Sequence, residues 1–422
     1  MYINTIRDEL VLMDGPVEHI QEGDNLSYFL LKGYSPSHSS IFSNSSKVAP
    51  GEFFIRGNRF SNFSLDTGVF TDDIRKVKSD IGDDLEKKLL HYARRQSGKV
   101  IVAFSGGLDS LWIISVLKRN NVPFQAYFIS RRPADFDNRE DLNLSLAVAR
   151  LFDFELSIFD CDLDECFENE KLLDSIGMLL PEDKGLAADI FLFSSYVSES
   201  YGDDVCLITG QSSDSLFSWG LTSLSMSSLV QRFMLSGWFL ENYFFRFIFS
   251  KLGVGSSGDR VVPVHLESIR SLLFLPDVYV LRGSNSEQAL AGRVLNSFLK
   301  HISLPEADTK QIRTLAKLNY LTGPSNIPWF KAAIHANIKC FMPFLNPALL
   351  SHLGDHYYSF RDIIIPRYAL WQSIVTNFGL LRVCKYFLMR YGPFRLRVTG
   401  AEADHHFNSR YQEFINKRFP DV

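Results

Sequence analysis

Cysteine is scarce in this chain, and its spacing fits neither a disulfide framework nor a metal site. Five cysteines stand among 422 residues, with no C-x-x-C pair and no cysteine–histidine ligand pattern; they are Cys161, Cys166, Cys206, Cys340 and Cys384. A sparse, odd-numbered set of this kind indicates reduced thiols. We therefore expect a cytoplasmic protein.

An excess of basic charge is also missing. Lysine and arginine total 44 and aspartate and glutamate total 48, which gives a formal net charge of −4, and the two signs are mixed along the chain. Proteins that bind nucleic acid through a general electrostatic field carry a basic excess. Nucleic acid is therefore not expected as a partner.

Long uninterrupted apolar runs are absent as well. The most membrane-like segment, LVQRFMLSGWFLENYFFRFIFSK at 229–251, is broken by Arg232, Glu241 and Arg246. Charges at this density favour a core or interdomain helix over a helix that spans a membrane or contacts lipid or another protein. The opening MYINTIRDELVLMDG has no basic region followed by an apolar core, so we expect no signal peptide.

What the chain does contain is enough apolar material for a large core. Hydrophobic residues make up 46% and aromatic residues 14% of the sequence, which fits a globular protein of two or three domains. Segments such as DELVLMDG and GEFFIRGNRFSNFSL predict short antiparallel strands within the first 70 or so residues, with a Ser-rich loop, YSPSHSSIFSNSSKVAPGE, between them. We expect a small β-rich region at 1–79 and a larger domain at 80–422.

Strands and helices alternate through the first part of the larger domain. The predicted strands are Val100–Phe104, Phe124–Ser130, Phe154–Phe159 and Val205–Thr209, and the predicted helices include a segment from about Asp80, Asn138–Leu151 and Leu186–Tyr201. This alternation predicts an α/β fold, a parallel sheet with helices on both faces. After about residue 222 the pattern becomes mostly helical.

The segment KVIVAFSGGLDSLWIISVLKRN at 99–120 predicts an anion site. An apolar strand leads through the loop Ser105–Ser110 directly into a helix, whose N-terminus carries unsatisfied N–H groups and the positive end of the helix dipole. Gly106 and Gly107 allow the main chain to approach a phosphate, and Ser105 and Ser110 offer hydroxyl groups. A Walker motif, GxxxxGK[ST], is absent from the sequence.

Asp109 adds a metal to this prediction. A carboxylate beside a phosphate site is repelled unless a cation such as Mg²⁺ bridges the two groups. The alternative is an ordinary glycine turn with Asp109 or Ser110 as the helix N-cap.

The loop SGGLDS resembles the pyrophosphate loop of the N-type ATP pyrophosphatases, which cleave ATP between the α and β phosphates. A second segment, VCLITGQSSDSLFSWG at 205–220, resembles a segment of the asparagine synthetase C-terminal domain and its relatives, the β-lactam synthetases and lasso-peptide cyclases. Matching positions there are Gly210, Ser213, Asp214, Leu216 and Phe217. The resemblance implies an adenine nucleotide α-hydrolase-like fold with ATP and Mg²⁺ as cofactors.

The resemblance also implies which residues act. Asp109 and Asp214 would hold Mg²⁺ on the ATP phosphates, and Lys385 is the candidate for a late catalytic lysine, although a solvated basic helix face is an equal alternative. The nucleotide site would comprise Ser105, Gly106, Gly107, Asp109, Ser110 and Gly210. The implied reaction adenylates a substrate carboxylate and transfers the acyl group to ammonia or an amine.

Several positions depart from the family pattern. Gln211 occupies the catalytic position of the family's glutamate, and an amide cannot act as a base. Ser215 also differs, as do Lys339–Phe341 and Asn346 in the acceptor segment. The differences in the acceptor segment argue against aspartate as the substrate and favour a bulkier carboxylate, such as a small-molecule, sugar-acid or peptide carboxylate. The chain begins Met1-Tyr2-Ile3 and has no cysteine before Cys161, which predicts no glutaminase. The nitrogen would come from ammonia, a separate glutaminase or an amine on the substrate.

Three alternatives stay open. The chain could be a nucleotide-binding protein whose catalysis is altered, which Gln211 and Ser215 favour. It could be a pyrophosphatase-loop enzyme that acts on tRNA, although no basic domain supports this. The stretch ADHHF, with Asp404, His405 and His406, could bind a metal, but neighbouring residues rarely converge on an ion without further ligands.

Overall fold

The computed structural model describes residues 11–13, 24, 45–47, 52–55, 58–61, 74–132, 138–162, 169, 172, 188–211, 213, 285–301, 326–345 and 367–391. The chain divides into two compact units. One comprises Met1–Ile74, Ser212–Gly323 and Asn346–Tyr368. The other, called the α/β unit below, comprises Arg75–Gln211, Pro324–Leu345 and Ala369–Val422.

The first unit contains two short antiparallel strand pairs. β1 (Val11–Met13) pairs with β2 (Ser45–Lys47), and β3 (Glu52–Ile55) pairs with β4 (Asn58–Ser61). The short antiparallel strands predicted for this region are confirmed. The Ser-rich segment is not wholly a loop, because β1 supplies a partner backbone for Ser45–Lys47, and such pairing requires no apolar pattern in the paired residues.

A five-stranded parallel sheet forms the centre of the α/β unit. Its strands are β5 (Val100–Ala103), β6 (Gln125–Arg132), β7 (Leu156–Asp162), β8 (Cys206–Thr209) and β9 (Lys339–Phe341). They lie in the order β7-β6-β5-β8-β9, and every neighbouring pair is parallel. The first four strands match the prediction to within a few residues, whereas β9 was not predicted.

Eight helices are described in the two units together. They are α1 (Ile74–Arg94), α2 (Leu108–Arg119), α3 (Arg139–Phe152), α4 (Ala188–Tyr201), α5 (Asn285–His301), α6 (Ile327–His335), α7 (Tyr368–Phe378) and α8 (Leu380–Tyr391). Helix α2 is buried nearly all round, from Ser110 to Leu117, as expected of a helix inside an α/β core. Helix α3 buries one side, and its C-cap, Asp153, has a left-handed φ of 56°.

Helices cover both faces of the sheet, as predicted. On one face, Ile101 of β5 packs in a cluster with Phe193 of α4 and Ala333 of α6. Successive strand residues point to opposite faces, and Val102 is fully buried as well, so the other face is also covered. There α1 contributes Tyr92, which stacks on Phe341 of β9 with ring centroids 4.0 Å apart.

The α7–α8 pair packs against α2 and α3. Trp112 Nε1 of α2 donates a hydrogen bond to Ser373 Oγ of α7 at 3.1 Å. Tyr386 of α8 is fully buried, and its ring lies 5.6 Å from that of Trp371 and 6.0 Å from that of Phe152. Two elements more than 200 residues beyond α2 in sequence therefore help to enclose it.

Among the residues that the structure describes, no helix is long and apolar enough to cross a membrane. The segment 229–251 lies outside those residues. Asp214, Ser215, Asn346 and the stretch ADHHF lie outside them too, so the predictions made for these positions stay predictions.

The thiols should differ sharply in reactivity. Cys161, Cys206 and Cys340 are buried, and burial raises the pKa of the Cys206 thiol to about 12, whereas Cys384 is exposed on α8. Only the thiolate reacts with alkylating agents. Of these four cysteines, we expect Cys384 alone to be alkylated within minutes at neutral pH in the native protein. Peptide mass spectrometry checks this, and equal labelling of Cys206 would contradict the fold around β8.

Candidate functional site

The strand order places a crevice between β5 and β8. From β5 the chain adds β6 and β7 on one side of the sheet, and it then crosses to add β8 and β9 on the other. In open α/β sheets, ligands bind beyond the carboxyl ends of the strands at this point of reversal. Ala103 pairs with Thr209, so the loops after β5 and β8 begin side by side at the crevice.

The loop after β5 is tight and ends in the first turn of α2. Gly106 has a φ of +71°, a left-handed conformation that residues with a Cβ rarely adopt. Gly107 is the N-cap of α2 and has no side chain that could satisfy the N–H groups of the first turn. Ser110 Oγ donates to Gly107 O at 3.3 Å and accepts from Ser105 N at 3.4 Å, two long hydrogen bonds across the loop.

The loop after β8 touches this turn directly. A Cβ built on Gly210 would lie 2.9 Å from Ser110 N, 3.0 Å from Asp109 Cβ and 3.1 Å from the Asp109 carbonyl carbon. Real Cβ atoms do not approach backbone atoms this closely, so only glycine fits at this position. The structure thus brings Gly210 against the residues of SGGLDS, an arrangement that the two sequence segments had predicted.

A buried hydroxyl lies beside the same loop. Ser145 of α3 is fully buried, and within the described part of the chain its Oγ has no hydrogen-bond partner. This oxygen would be 2.7 Å from a Cβ placed on Gly106. A glycine with left-handed φ and a helix start without a side-chain cap are features of phosphate-binding loops, and the buried Ser145 hydroxyl lies beside them. Nothing in the sequence distinguished Ser145 from other helical serines.

Helix α8 reaches the loop from the far end of the chain. Tyr386 OH and Arg390 Nη1 each donate a hydrogen bond to the carbonyl oxygen of Gly106, both at 3.0 Å. Lys385, the predicted catalytic lysine, is exposed, and it is turned from Tyr386 by ~100° around the helix. The structure therefore brings Arg390 to the loop, whereas Lys385 faces solvent.

Charged side chains continue along the carboxyl edge of the sheet. Arg131, the next-to-last residue of β6, makes an ion pair with the buried carboxylate of Asp189 in α4 at 2.8 Å. Burial raises the pKa of Asp141 in α3, and the positive charges of Arg390 and Arg131 oppose that increase. The edge of the sheet beside the loop thus carries both acidic and basic side chains that are partly buried.

The predicted metal ligands are only partly described. Asp109 is half-buried in the first turn of α2, at the contact with Gly210. Asp214 lies outside the described residues, and within them no group of three or more histidine, cysteine, aspartate or glutamate side chains converges. Gln211 is half-buried and directly follows Gly210. One carboxylate and one amide are therefore placed at the crevice.

No protein-family model matches the chain, and a search among curated proteins finds no significant similarity.

Proposed function

We propose that this chain is an ATP-dependent, AMP-forming amide-bond synthetase of the asparagine synthetase type, with an adenine nucleotide α-hydrolase-like fold. The observation that carries the proposal is the contact of Gly210 with the first turn of α2 at the strand-order reversal. Glycine-rich loops that meet at a helix N-terminus form a site for a polyphosphate rather than for a neutral ligand.

The loop residues bind the phosphates in this proposal. The N–H groups at the start of α2 point their partial positive charge at the ligand, and Gly106 and Gly107 let it come close to the backbone. Ser105 is exposed, so its hydroxyl group can donate to a phosphate oxygen. Ser110 is buried and its hydroxyl group donates to Gly107 O, so it supports the shape of the loop instead. Gly210 keeps the second loop near enough to close the site.

Asp109 is the described residue that would hold Mg²⁺, and Asp214 is the predicted second ligand. A bound Mg²⁺ would supply charge neutralisation for the phosphates as pyrophosphate departs. Asp109 fits this role because it is a carboxylate at the first turn of a helix beside a phosphate loop. Without a cation, its charge would oppose binding of the nucleotide.

The proposed reaction has two displacements. A substrate carboxylate oxygen forms a bond to the α-phosphorus, and the bond from that phosphorus to the bridging oxygen breaks, which releases pyrophosphate. An unprotonated amine then attacks the acyl carbon; the carbon–oxygen bond to AMP breaks, and the amine loses a proton to water. The protein contributes mainly positioning and charge stabilisation. Lys385, the cation predicted from the sequence, is exposed on α8, so it would have to reach the phosphates from the solvent side.

A second candidate is a nucleotide-binding protein with altered catalysis. Gln211 favours it, because an amide in the crevice cannot take the proton that the attacking amine loses. Such a protein would bind ATP at the same loops without forming AMP. Binding and turnover therefore separate the two candidates.

Turnover is tested with ATP labelled in its α-phosphate, Mg²⁺, and panels of carboxylic acids and amines. The synthetase should form labelled AMP only with its acid, and it should exchange labelled pyrophosphate into ATP without the amine. Binding of ATP with no AMP from any acid would favour the second candidate. Formation of ADP would contradict cleavage between the α and β phosphates.

We expect no release of glutamate from glutamine by the purified chain. A cysteine-dependent glutaminase needs a reactive thiolate inside a substrate site. Cys161, Cys206 and Cys340 are buried, with the pKa of Cys206 raised by burial to about 12, and Cys384 lies exposed on the surface of α8 rather than in an enclosed site. Amide formation should instead depend on ammonium, a partner glutaminase or an amine within the substrate. Glutamine labelled in its side-chain amide is the test, and label in the product without a second protein would contradict this expectation.

A further inference from the structure

The carbonyl oxygen of Gly106 receives two hydrogen bonds from one distant helix. Tyr386 OH and Arg390 Nη1 both donate to it at 3.0 Å, across 280 and 284 residues of sequence. Tyr386 and Arg390 are four residues apart, so they lie on the same side of α8. Two donors from one helix turn on a single loop oxygen fix that peptide group strongly.

Fixing this carbonyl also fixes the next N–H group. In a trans peptide the C=O of one residue and the N–H of the following residue point in opposite directions. Because α8 holds the Gly106 oxygen, the N–H of Gly107 points away from α8, at the very start of α2. Gly106 has no Cβ to restrict its torsion angles, so the loop itself does little to choose this orientation.

Helix α8 is well placed to provide rigid support. The fully buried ring of Tyr386 packs on Trp371 and Phe152, so its hydroxyl cannot move far from the loop. The positive charge of Arg390 also interacts with the carboxylate of Asp141 and stabilises its charged form. The two donors therefore reach Gly106 from a packed surface rather than from a solvated helix face.

We propose that Tyr386 and Arg390 are positioning residues that hold the Gly106–Gly107 peptide in the orientation required to bind the nucleotide's phosphates. This inference rests on the proposed function. The two residues act through the loop backbone, and their contribution is to lower the cost of ordering that loop when the ligand binds. They differ in this from Ser105, whose exposed hydroxyl group is proposed to touch the ligand.

The variants Tyr386→Phe and Arg390→Met each remove one donor, and Arg390→Lys retains a charge and a donor. Arg382→Met is the matched control, because Arg382 is an exposed cation on the same helix. The first readout is hydrogen exchange of the loop 105–110 in the unliganded protein. We expect exchange to accelerate roughly tenfold in Tyr386→Phe and Arg390→Met, and to stay unchanged in Arg382→Met.

The second readout is the dissociation constant for α,β-methylene-ATP with Mg²⁺. We expect it to rise roughly tenfold in Tyr386→Phe and Arg390→Met, with partial recovery in Arg390→Lys and little change in the temperature of unfolding. A purely structural role would lower the unfolding temperature and leave affinity intact, which would overturn the inference. Unchanged loop exchange with unchanged affinity would overturn it as well. A wild-type chain that binds no nucleotide would overturn the proposed function, and this inference with it.

Discussion

Asp109→Asn is expected to abolish Mg²⁺-dependent AMP formation, with a loss of at least about a hundredfold. The amide keeps the size of the side chain but removes the negative charge that a hard cation requires. Because Asp109 lies in the first turn of α2, removing its charge should weaken the metal site without disturbing the core. The rate is measured with α-labelled ATP under saturating acid and amine.

Glu155→Gln is the control for this substitution. Glu155 is an exposed carboxylate after α3, and the same change of carboxylate to amide there should leave AMP formation unaltered. Asp214→Asn should behave like Asp109→Asn if the predicted second ligand is correct. Turnover at the wild-type rate by Asp109→Asn, with an unchanged unfolding temperature, would show that the carboxylate holds no essential metal.

Gly210→Ala is expected to damage the site and the fold together. The added methyl group would lie 2.9 Å from Ser110 N, so either the end of β8 or the first turn of α2 must shift. Forcing extra volume into a packed contact costs ~1–3 kcal/mol in the free energy of unfolding. The same shift separates the two loops, so affinity for Mg²⁺–ATP should fall at least about tenfold. Chemical denaturation and calorimetry measure the two effects.

Gly107→Ala provides the contrast. Its φ of −77° suits any residue, and its added Cβ would meet only the Ser105 hydroxyl, which can rotate, at 3.1 Å. We expect Gly107→Ala to cost less than about 1 kcal/mol in unfolding free energy. Equal destabilisation by Gly210→Ala and Gly107→Ala would show that the close contact with Ser110 is not the reason why position 210 requires glycine.

Much of the sheet could be predicted because its central strands are short runs of apolar residues, which are buried in the structure. The stretch at β5 is apolar and is followed by a glycine turn, and β8 is buried at each of its four residues, so the sequence marks both strands clearly. Strand β9 has only three residues, Lys339–Phe341, and they carry no such run. It forms because the edge of β8 is available for pairing. The local sequence of Lys339–Phe341 cannot indicate this, since β8 belongs to a distant part of the chain.

The site could be predicted only in its local parts. The glycines, serines and Asp109 stand together in SGGLDS, so their chemistry is visible in a short window of sequence. The cations of α8 are different, since a helix that carries Arg382, Lys385 and Arg390 gives no way to choose among them from its sequence. The choice of Arg390 over Lys385 as the group at the loop depends on packing between elements about 280 residues apart. Ser145 was missed for the same reason.

The central claim is that ATP binds where the loops after β5 and β8 meet, and hydrogen exchange tests it most directly. The purified chain is compared with and without Mg²⁺ and α,β-methylene-ATP, which resists cleavage between the α and β phosphates and requires no acid substrate. We expect slower exchange in two segments, around residues 105–110 and around Gly210, with Asp109→Asn reducing the effect. Binding that leaves both segments unchanged, or protects only other parts of the chain, would contradict the account.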